Sequence, residues 1–452
     1  MYFRGQKFFV AGMSVSGESS ARFLLERGAE VYVYDDVVSD NIAKTYAELR
    51  ALGAHVVTAE GCAEAAEKCD ILVLSPGIPI DTALPVSFRK RGKSIIGEEE
   101  LAAMYLRATA VAVTGTNGKT TTVSMLNEMI NACGNRSVAC GNNGNPLIKE
   151  VEDLAFKDFA VIEISSFQLE TLTSLRPHIA VVTNVTEDHL NRHYNMENYI
   201  FLKSKILRNL RESEFAVLNY DDPVVRSFAK NTKAKTVYFS VQSRVEGAYF
   251  QDGGLYYNGE KYFDINDMNV SGVHNVYNAL ACVAVAGILG LDKTLASNAL
   301  CAFKGVSHRI EKIREVNGVT YIDDSKGTNI DATLKAAQTM REPTVLLLGG
   351  KDKGDDYTPL FEGLSSGPVV HAIIYGENRF KMLNAAIRAG FVSFSLCSEF
   401  ETAVKLAQFI AKPGQSVLLS PASASFDGFA NYEERGKAFK AIVDGINEET
   451  SK

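Results

Sequence analysis

The segment Gly115-Thr116-Asn117-Gly118-Lys119-Thr120-Thr121 carries the clearest chemistry in the chain. Glycines let backbone N–H groups turn toward an anion, and a helix starting at the end of such a loop adds the positive end of its dipole. Lys119 is placed to neutralise β/γ-phosphates, and Thr120 offers a hydroxyl to Mg²⁺. The spacing is GxxGKTT rather than the common GxxxxGK[ST], but a plain strand–helix turn does not need the lysine. The loop therefore points to ATP. Glu163 in EISSFQLE and Asp188-His189 in NVTEDHLNRH add a carboxylate and an imidazole at the ends of two apolar runs. That donor set is sparse, as Mg²⁺ requires, because the ion keeps waters and phosphate oxygens. Taken singly, Glu163 and His189 read first as satisfied surface residues, and their place at strand ends is what favours the metal reading.

Other groups are weaker. Gly12-Met13-Ser14-Val15-Ser16-Gly17 follows an apolar run, and Asp35-Asp36 ends the next. This is the layout of a dinucleotide-binding βαβ unit, with an acid about 20 residues on. Ser14 stands where the middle glycine of GxGxxG belongs. Ser75-Pro76-Gly77-Ile78 closes a later run. Two readings stand: a site for a nucleotide-containing ligand, or two tight turns serving only the fold. Lys203 and Lys205, in NYIFLKSKIL, read on their own as two solvated lysines. Asp324-Ser325-Lys326 and Lys353 follow apolar runs and could bind anions, although solvated loop lysines are the commoner case. Ser420–Asp427 could cradle a carboxylate, or Ser425 or Asp427 could cap a helix.

These residues need elements to hold them. KFFVAGM (7–13), EVYVYDD (30–36), DILVLSPGI (70–78), FAVIEIS (159–165), IAVVTNV (179–185), VTYIDDS (319–325), PTVLLLGG (343–350), AIIYG (372–376) and QSVLLSP (415–421) read as strands, separated by helical stretches. Apolar runs without alternation suggest α/β architecture with parallel sheets covered on both faces. The expected division is 1–97, 98–303 and 304–452, each with its own sheet. Residues 240–265, rich in Gly and Tyr, read as a short β-rich insertion.

Composition sets the outer bounds. The chain has 452 residues, about three domains at roughly 150 each. Hydrophobic residues are 46% and charged residues 22%, which excludes a disordered chain, a collagen and a coiled-coil rod. The net charge of −7 argues against a nucleic-acid-coating surface. Seven scattered cysteines without a CxxC pair argue against a disulfide or zinc framework and for a reducing, cytoplasmic setting. No signal peptide is expected, and no apolar stretch reaches the ~18–20 residues of a membrane helix.

Taken together, the motifs resemble the Mur ligase family nearly end to end. The matching segments, in order, are SPGI (75–78), GTNGKTT (115–121), GNNGNP (141–146), EISSFQLE (163–170), NVTEDHLNRH (184–193), GVHNVYNALA (272–281), FKGVSHRIE (303–311), DDSKGTN (323–329), LLLGGKDKG (346–354) and SPASASFDGFANYEERG (420–436). The resemblance implies three domains: a Rossmann-like UDP-binding domain, a central ATPase-like domain and a Rossmann-like C-terminal domain. Within the family it is strongest to the members that add D-glutamate to UDP-MurNAc-L-Ala. It implies an ATP-dependent amide ligation through an acyl phosphate, with two Mg²⁺ ions for which Mn²⁺ can substitute, in a monomer.

By matched position, catalytic roles fall to Lys119, Glu163, His189, Lys203 and Lys326. ATP contacts fall to Gly115, Thr116, Asn117, Gly118, Lys119, Thr120, Thr121, Asn275, His308, Arg309 and Asp324. Metal contacts fall to Thr120, Glu163, His189 and Lys203, the last matching a family lysine carbamylated by CO₂, with Lys205 the competing position. Carbamylation needs the neutral amine. The UDP-sugar site matches Val15, Ser16, Asp35, Asp36, Gly77, Asn142 and His189. The D-glutamate pocket matches Thr328, Lys353, Ser425, Phe426 and Tyr432. Catalysis is then expected to need closure of the third domain on the second. Alanine-adding members resemble GTHGKTT, where this chain has Asn117, and the DNPR-type motif of diaminopimelate- or lysine-adding members is missing. Folylpolyglutamate synthases lack the leading UDP-binding domain. A non-catalytic dinucleotide-binding protein would not need Lys119, Glu163, His189 and Lys326 together.

Overall fold

A computed structural model describes residues 3–447. It holds three sheets, and strand order alternates with helices along most of the chain. The first sheet contains β1 (Lys7–Ala11), β2 (Glu30–Tyr34), β3 (His55–Val56), β4 (Ile71–Leu74) and β5 (Ser94–Ile96), ordered 3-2-1-4-5 and all parallel. The second contains β6 (Thr109–Thr114), β7 (Ser137–Gly141), β8 (Phe159–Glu163), β9 (Ile179–Val182), β10 (Phe215–Asn219), β11 (Lys235–Ser240), β12 (Gly247–Gln251), β13 (Gly254–Tyr257) and β14 (Glu260–Asp264). Its order is 14-13-12-11-10-9-6-8-7. The third contains β15 (Glu311–Val316), β16 (Val319–Asp323), β17 (Thr344–Gly349), β18 (Val369–Tyr375), β19 (Phe394–Leu396) and β20 (Ser416–Leu419), ordered 15-16-20-17-18-19.

The residues explain this architecture. β9, β17 and β20 are buried at every position, so both faces of the sheet are covered. The expected β-rich insertion is β12–β14, whose antiparallel pairs extend the second sheet beyond its parallel part. Expected strands overrun their observed ends by about two residues or more: 159–165 stops at Glu163, 179–185 at Val182, 319–325 at Asp323. The polar residues beyond those points leave the sheet as loops.

The chain forms two compact units. One holds the first two sheets and comprises residues through Val185, Arg192–Met268 and Val276–Ala302. A continuous apolar cluster joins these sheets through Phe8, Val31, Leu101, Leu147, Ile148 and Ile162. The other holds the third sheet, from Phe303 on, with the short segments Thr186–Asn191 and Asn269–Asn275. Its sheet is covered on one side by Leu346, Leu348, Phe361 and Ile374, and on the other by Val345, Leu347, Val417 and Phe439. All seven cysteines are free thiols. No helix among the described residues is long and apolar enough to cross a membrane.

Candidate functional site

β6 ends at Thr114 and the helix Lys119–Ala132 begins at Lys119, so Gly115–Gly118 form a four-residue turn between them. Gly115 has φ +149°, and a Cβ there would lie 1.9 Å from Thr183 Oγ1. Only glycine fits. The turn is cross-braced from the end of β9: Asn117 N donates to Asn184 Oδ1 (2.9 Å), while Thr183 Oγ1 (2.6 Å) and Asn184 Nδ2 (3.0 Å) donate to Asn117 O. Such bracing preorganises the backbone amides before any anion arrives. Lys119 Nζ donates to Gly115 O (2.9 Å) and Thr116 O (2.7 Å). Thr120 and Thr121 are buried in the first helical turn.

Lys203 comes to the same place. It is 1% exposed, lies in the last turn of the helix Met196–Ser204, and donates to Gly115 O at 2.6 Å. Its Nζ sits 5.1 Å from the Tyr199 ring, and the Tyr199 hydroxyl pairs with Thr116 Oγ1 at 3.1 Å. The expectation of two solvated lysines is therefore wrong for Lys203, because that helix packs its final turn onto the loop. Lys205 faces the other way, donating to Leu169 O and Glu170 O, and burial lowers its pKa. Glu163 ends β8, in register with Val113 of β6, and is 1% exposed. Asn142 Nδ2 donates to its Oε1 at 3.1 Å.

In the first sheet, the helix Val15–Glu26 starts directly after the turn that follows β1. Its N-cap, Ser14, gives no side-chain bond, and Val15 is exposed. Asp35 Oδ2 accepts from Met13 N (2.7 Å) and Oδ1 from Val37 N (3.0 Å), while Asp36 accepts from the Tyr34 hydroxyl (2.6 Å). A Cβ on Gly17 would lie 1.8 Å from Gly12 O, so this glycine lets the helix pack on the turn. Ser75 Oγ donates to Gly12 O at 2.8 Å, which joins the turn to the 75–78 loop. Gly77 is exposed on that loop.

In the second unit, the loops after β16, β17 and β20 converge. Asp324 accepts from Ser420 Oγ (2.6 Å) and Ile310 N (3.3 Å), and burial raises its pKa to about 7. His308 Nδ1 lies 2.6 Å from Asp323 Oδ2, and His308 O accepts from Lys326 N, so the His308-Arg309 turn is fixed against the Asp323–Lys326 loop. Lys326 Nζ is 4.8 Å from the Tyr432 ring. His308, Glu311 and Asp323 have the makings of a metal triad. Lys440, however, donates to both Glu311 oxygens at 2.8 Å, so that carboxylate is already neutralised. Lys353 pairs with Asp188 at 3.7 Å, and Asn329 Nδ2 donates to Asp188 at 3.0 Å. Thr328 N donates to Lys326 O. His189, at φ +56°, donates its N–H to Asp188 Oδ1. Asn275 Nδ2 donates to Ser271 O within its own short segment. Ser425 is 2% exposed and Phe426 70% exposed. Neither Ser425 nor Asp427 caps the helix Tyr432–Asp444, which is capped by Asn431.

Several supporting residues escape a reading of the sequence. Asn278, three positions after Asn275, accepts from Thr122 Oγ1 under the phosphate loop, and that spacing is a usable signal. Tyr199, Thr183 and Asn184 give none, because their role depends on strand order. Arg435 is fully buried and gives its hydrogen bonds to neutral oxygens. It donates to Ser325 Oγ (3.0 Å), Ser325 O (2.8 Å) and Ser423 O (3.1 and 3.2 Å), joining the loops after β16 and β20.

Comparison with known proteins agrees with this arrangement. Residues 6–97 match the Mur ligase MurD-like N-terminal domain, 113–286 the Mur ligase middle domain, and 308–423 the Mur ligase glutamate ligase domain. A protein from Thermoanaerobacter sp. (strain X514), named UDP-N-acetylmuramoylalanine–D-glutamate ligase, is 42% identical over 450 residues, covering 98% of this chain and 99% of that one. Among solved structures, UDP-N-acetylmuramate-alanine ligase MurC from Thermotoga maritima shares the fold at TM-score 0.63 and 19% identity, over 97% of this chain and 99% of that one. MurF ligase from Thermotoga maritima, in complex with ADP, does so at TM-score 0.58 and 17% identity, over 98% and 96%. With three sheets in this order, a lysine-bearing phosphate loop and full-length likeness to such relatives, the chain belongs to the Mur ligase family.

Proposed function

We propose that this chain is an ATP-dependent ligase that joins D-glutamate to UDP-N-acetylmuramoyl-L-alanine in peptidoglycan precursor synthesis. The observation that carries the chemistry is the braced loop 115–121 with Lys119 and buried Lys203 on one carbonyl. The choice of substrates is supported by the relatives of that name along 98% of the chain. In this reading residues 1–97 take the UDP-sugar, 98–303 ATP and metal, and 304–452 D-glutamate. The chain acts as a cytoplasmic monomer.

The γ-phosphoryl group of ATP passes to the L-alanine carboxylate, giving an acyl phosphate and ADP. The amine of D-glutamate attacks the acyl carbon, and phosphate leaves in place of a poor hydroxide leaving group. Lys119 moves from its own loop carbonyls to the β/γ-phosphates, and the amides at the start of the helix Lys119–Ala132 hold the phosphate oxygens. Thr120, in the first turn of the helix after β6, and Glu163, at the end of the adjacent β8, are hard oxygen donors, and a carboxylate as buried as Glu163 favours a counter-cation, so they fit Mg²⁺. His189 and a carbamylated Lys203 are assigned to a second ion. Bound there, the metal would neutralise charge on the transferring group. Asn275, His308, Arg309, Asp324 and Lys326 are assigned to ATP and phosphate. Val15, Ser16, Asp35, Asp36, Gly77, Asn142 and His189 are assigned to the UDP-sugar, and Thr328, Lys353, Ser425, Phe426 and Tyr432 to D-glutamate.

The deciding assay is phosphate release from ATP with UDP-MurNAc-L-Ala, offered D-glutamate, L-alanine or meso-diaminopimelate. Dependence on D-glutamate alone is expected, and release driven equally by another amino acid overturns the assignment. Lys203→Ala is expected to be nearly inactive; wild-type turnover in that variant removes the carbamate role.

A further inference from the structure

Arg192 makes an unusual set of contacts. Its guanidinium is 11% exposed and forms a two-pronged ion pair with Glu170, itself 5% exposed: Nε to Oε1 at 3.0 Å and Nη2 to Oε2 at 2.6 Å. The rest of the fork meets three consecutive carbonyls of one turn. Nη2 donates to Pro76 O (3.4 Å) and Ile78 O (3.0 Å), and Nη1 to Gly77 O (3.3 Å). The Phe167 ring covers its face at 4.8 Å. Carbonyls on an exposed loop are ordinarily satisfied by water, so a partly buried cation collecting three of them is not required by folding of the turn. A lysine could not reproduce the arrangement, because it lacks the planar fork.

The contact fixes which way the turn faces. The peptide that presents Pro76 O to Arg192 carries the Gly77 N–H on its opposite side, since the bond is trans and planar. Ile78 N donates to Ser75 O and closes the turn, and Ser75 Oγ holds Gly12 O of the turn after β1. Arg192 thus ties both turns at this edge of the first sheet to the helix Ser166–Thr171 of the second. Glu170 also faces His193 Nδ1 at 3.7 Å. His193 Nε2 meets Ser166 Oγ at 2.9 Å, and its ring lies 5.3 Å from Tyr199, which reaches Thr116.

We infer that Arg192, oriented by Glu170, is a positioning residue that holds the 75–78 turn in the register that receives the UDP-sugar. The inference rests on the proposed assignment of that turn to the UDP-sugar. Steady-state kinetics on the full-length protein test it with Arg192→Lys, Arg192→Ala, Glu170→Gln and the Arg192→Ala/Glu170→Gln pair. D-glutamate-dependent phosphate release by the wild type comes first, and its absence overturns the functional reading and this inference together. With that activity in hand, Arg192→Lys and Arg192→Ala are expected to raise KM for UDP-MurNAc-L-Ala about tenfold or more, with KM for ATP within about twofold. Hydrogen exchange at residues 75–82 should quicken, and the double variant should be no worse than Arg192→Ala, since the two side chains act as one. Should Arg192→Ala fail to fold, Arg192→Lys, which keeps the charge, decides alone. An unchanged KM for the UDP-sugar, or equal rises for both substrates, overturns the inference and leaves the functional reading standing.

Discussion

The turn after β1 and the turn after β6 are built on one plan and carry opposite charge. Each follows a buried parallel strand, contains glycines and opens into a helix. In the first, a carboxylate does the bracing: Asp35 takes Met13 N, where the second uses the neutral Asn184 Oδ1 to take Asn117 N. In the second, neutral Thr183 and Asn184 brace the loop, and the side chains of Lys119 and Lys203 both donate to Gly115 O. The cation of Lys119 favours a phosphate at the second turn, and the carboxylate of Asp35 disfavours one at the first. The first suits hydroxyl and amide groups, as on ribose or uracil. The strand–turn–helix unit therefore supplies position, and the charged groups around it set which part of a ligand it suits.

The largest test of this contrast is Lys119→Ala. Loss of a charge aimed at the transferring phosphoryl group should cost about 4 kcal/mol in kcat, roughly a thousandfold, with melting temperature little changed. An activity near wild type would mean that the second turn does not bind phosphate. Gly17→Ala comes next and acts on stability. Its Cβ would sit 1.8 Å from Gly12 O, and relief by a backbone shift should cost about 1–3 kcal/mol, read as a lower denaturation midpoint. Asp35→Ala should then separate the two turns kinetically, raising KM for the UDP-sugar about tenfold while leaving that for ATP nearly unchanged. A rise in the ATP value instead would reverse the assignment of the turns.

The smallest effect lies at the joint between these two sheets. Glu98 and Glu99 are each 1% exposed and hydrogen-bonded to one another, and Glu98 Oε1 accepts from Ile148 N at 2.6 Å. Burial, with Glu99 beside it, pushes the Glu98 carboxyl well above its ordinary 4.5. A carboxyl with a raised folded pKa binds its proton more tightly in the native state, so its contribution falls as pH rises above about 4.5. Glu98→Gln keeps the shape and removes the titration. It should raise the melting temperature at neutral pH, with the gain shrinking toward zero below pH 4.5. A pH-independent shift would show that Glu98 is not held protonated.

Much of this is legible in the chain because the parallel strands are unbroken apolar runs, and because the groups that do chemistry sit where those runs end. The expected strands overrun for that same reason. Ile164 after β8 and Thr183 after β9 each still donate one bond to β6, at Val113 O and Thr114 O, and the backbone leaves the sheet beyond them. Lys203 is misread because a lysine in a helix looks solvated, and its burial depends on a helix contacting a loop 88 residues earlier. Arg192 lies inside a recognisable motif yet gains no role from it, since its partners are the carbonyls of residues more than 110 positions away and carry no sequence signature. The grouping of the first two sheets into one unit is also hidden, because the shared core runs through Leu101, Leu147 and Ile148, which look like ordinary helix interior.

Arg435 has a consequence for synthesis. The loops that carry Lys326 and Ser425 are joined by a guanidinium in the helix Tyr432–Asp444, the last helix described. A nascent chain therefore exposes Ser325 and Ser423 without their clamp until the helix Tyr432–Asp444 has left the ribosome. A nonsense codon before 435 would yield a product with the phosphate loop and both first sheets whole and the third sheet's loops unfastened. Such a product would leave the loops that carry Lys326 and Ser425 to find their spacing without the guanidinium that joins them.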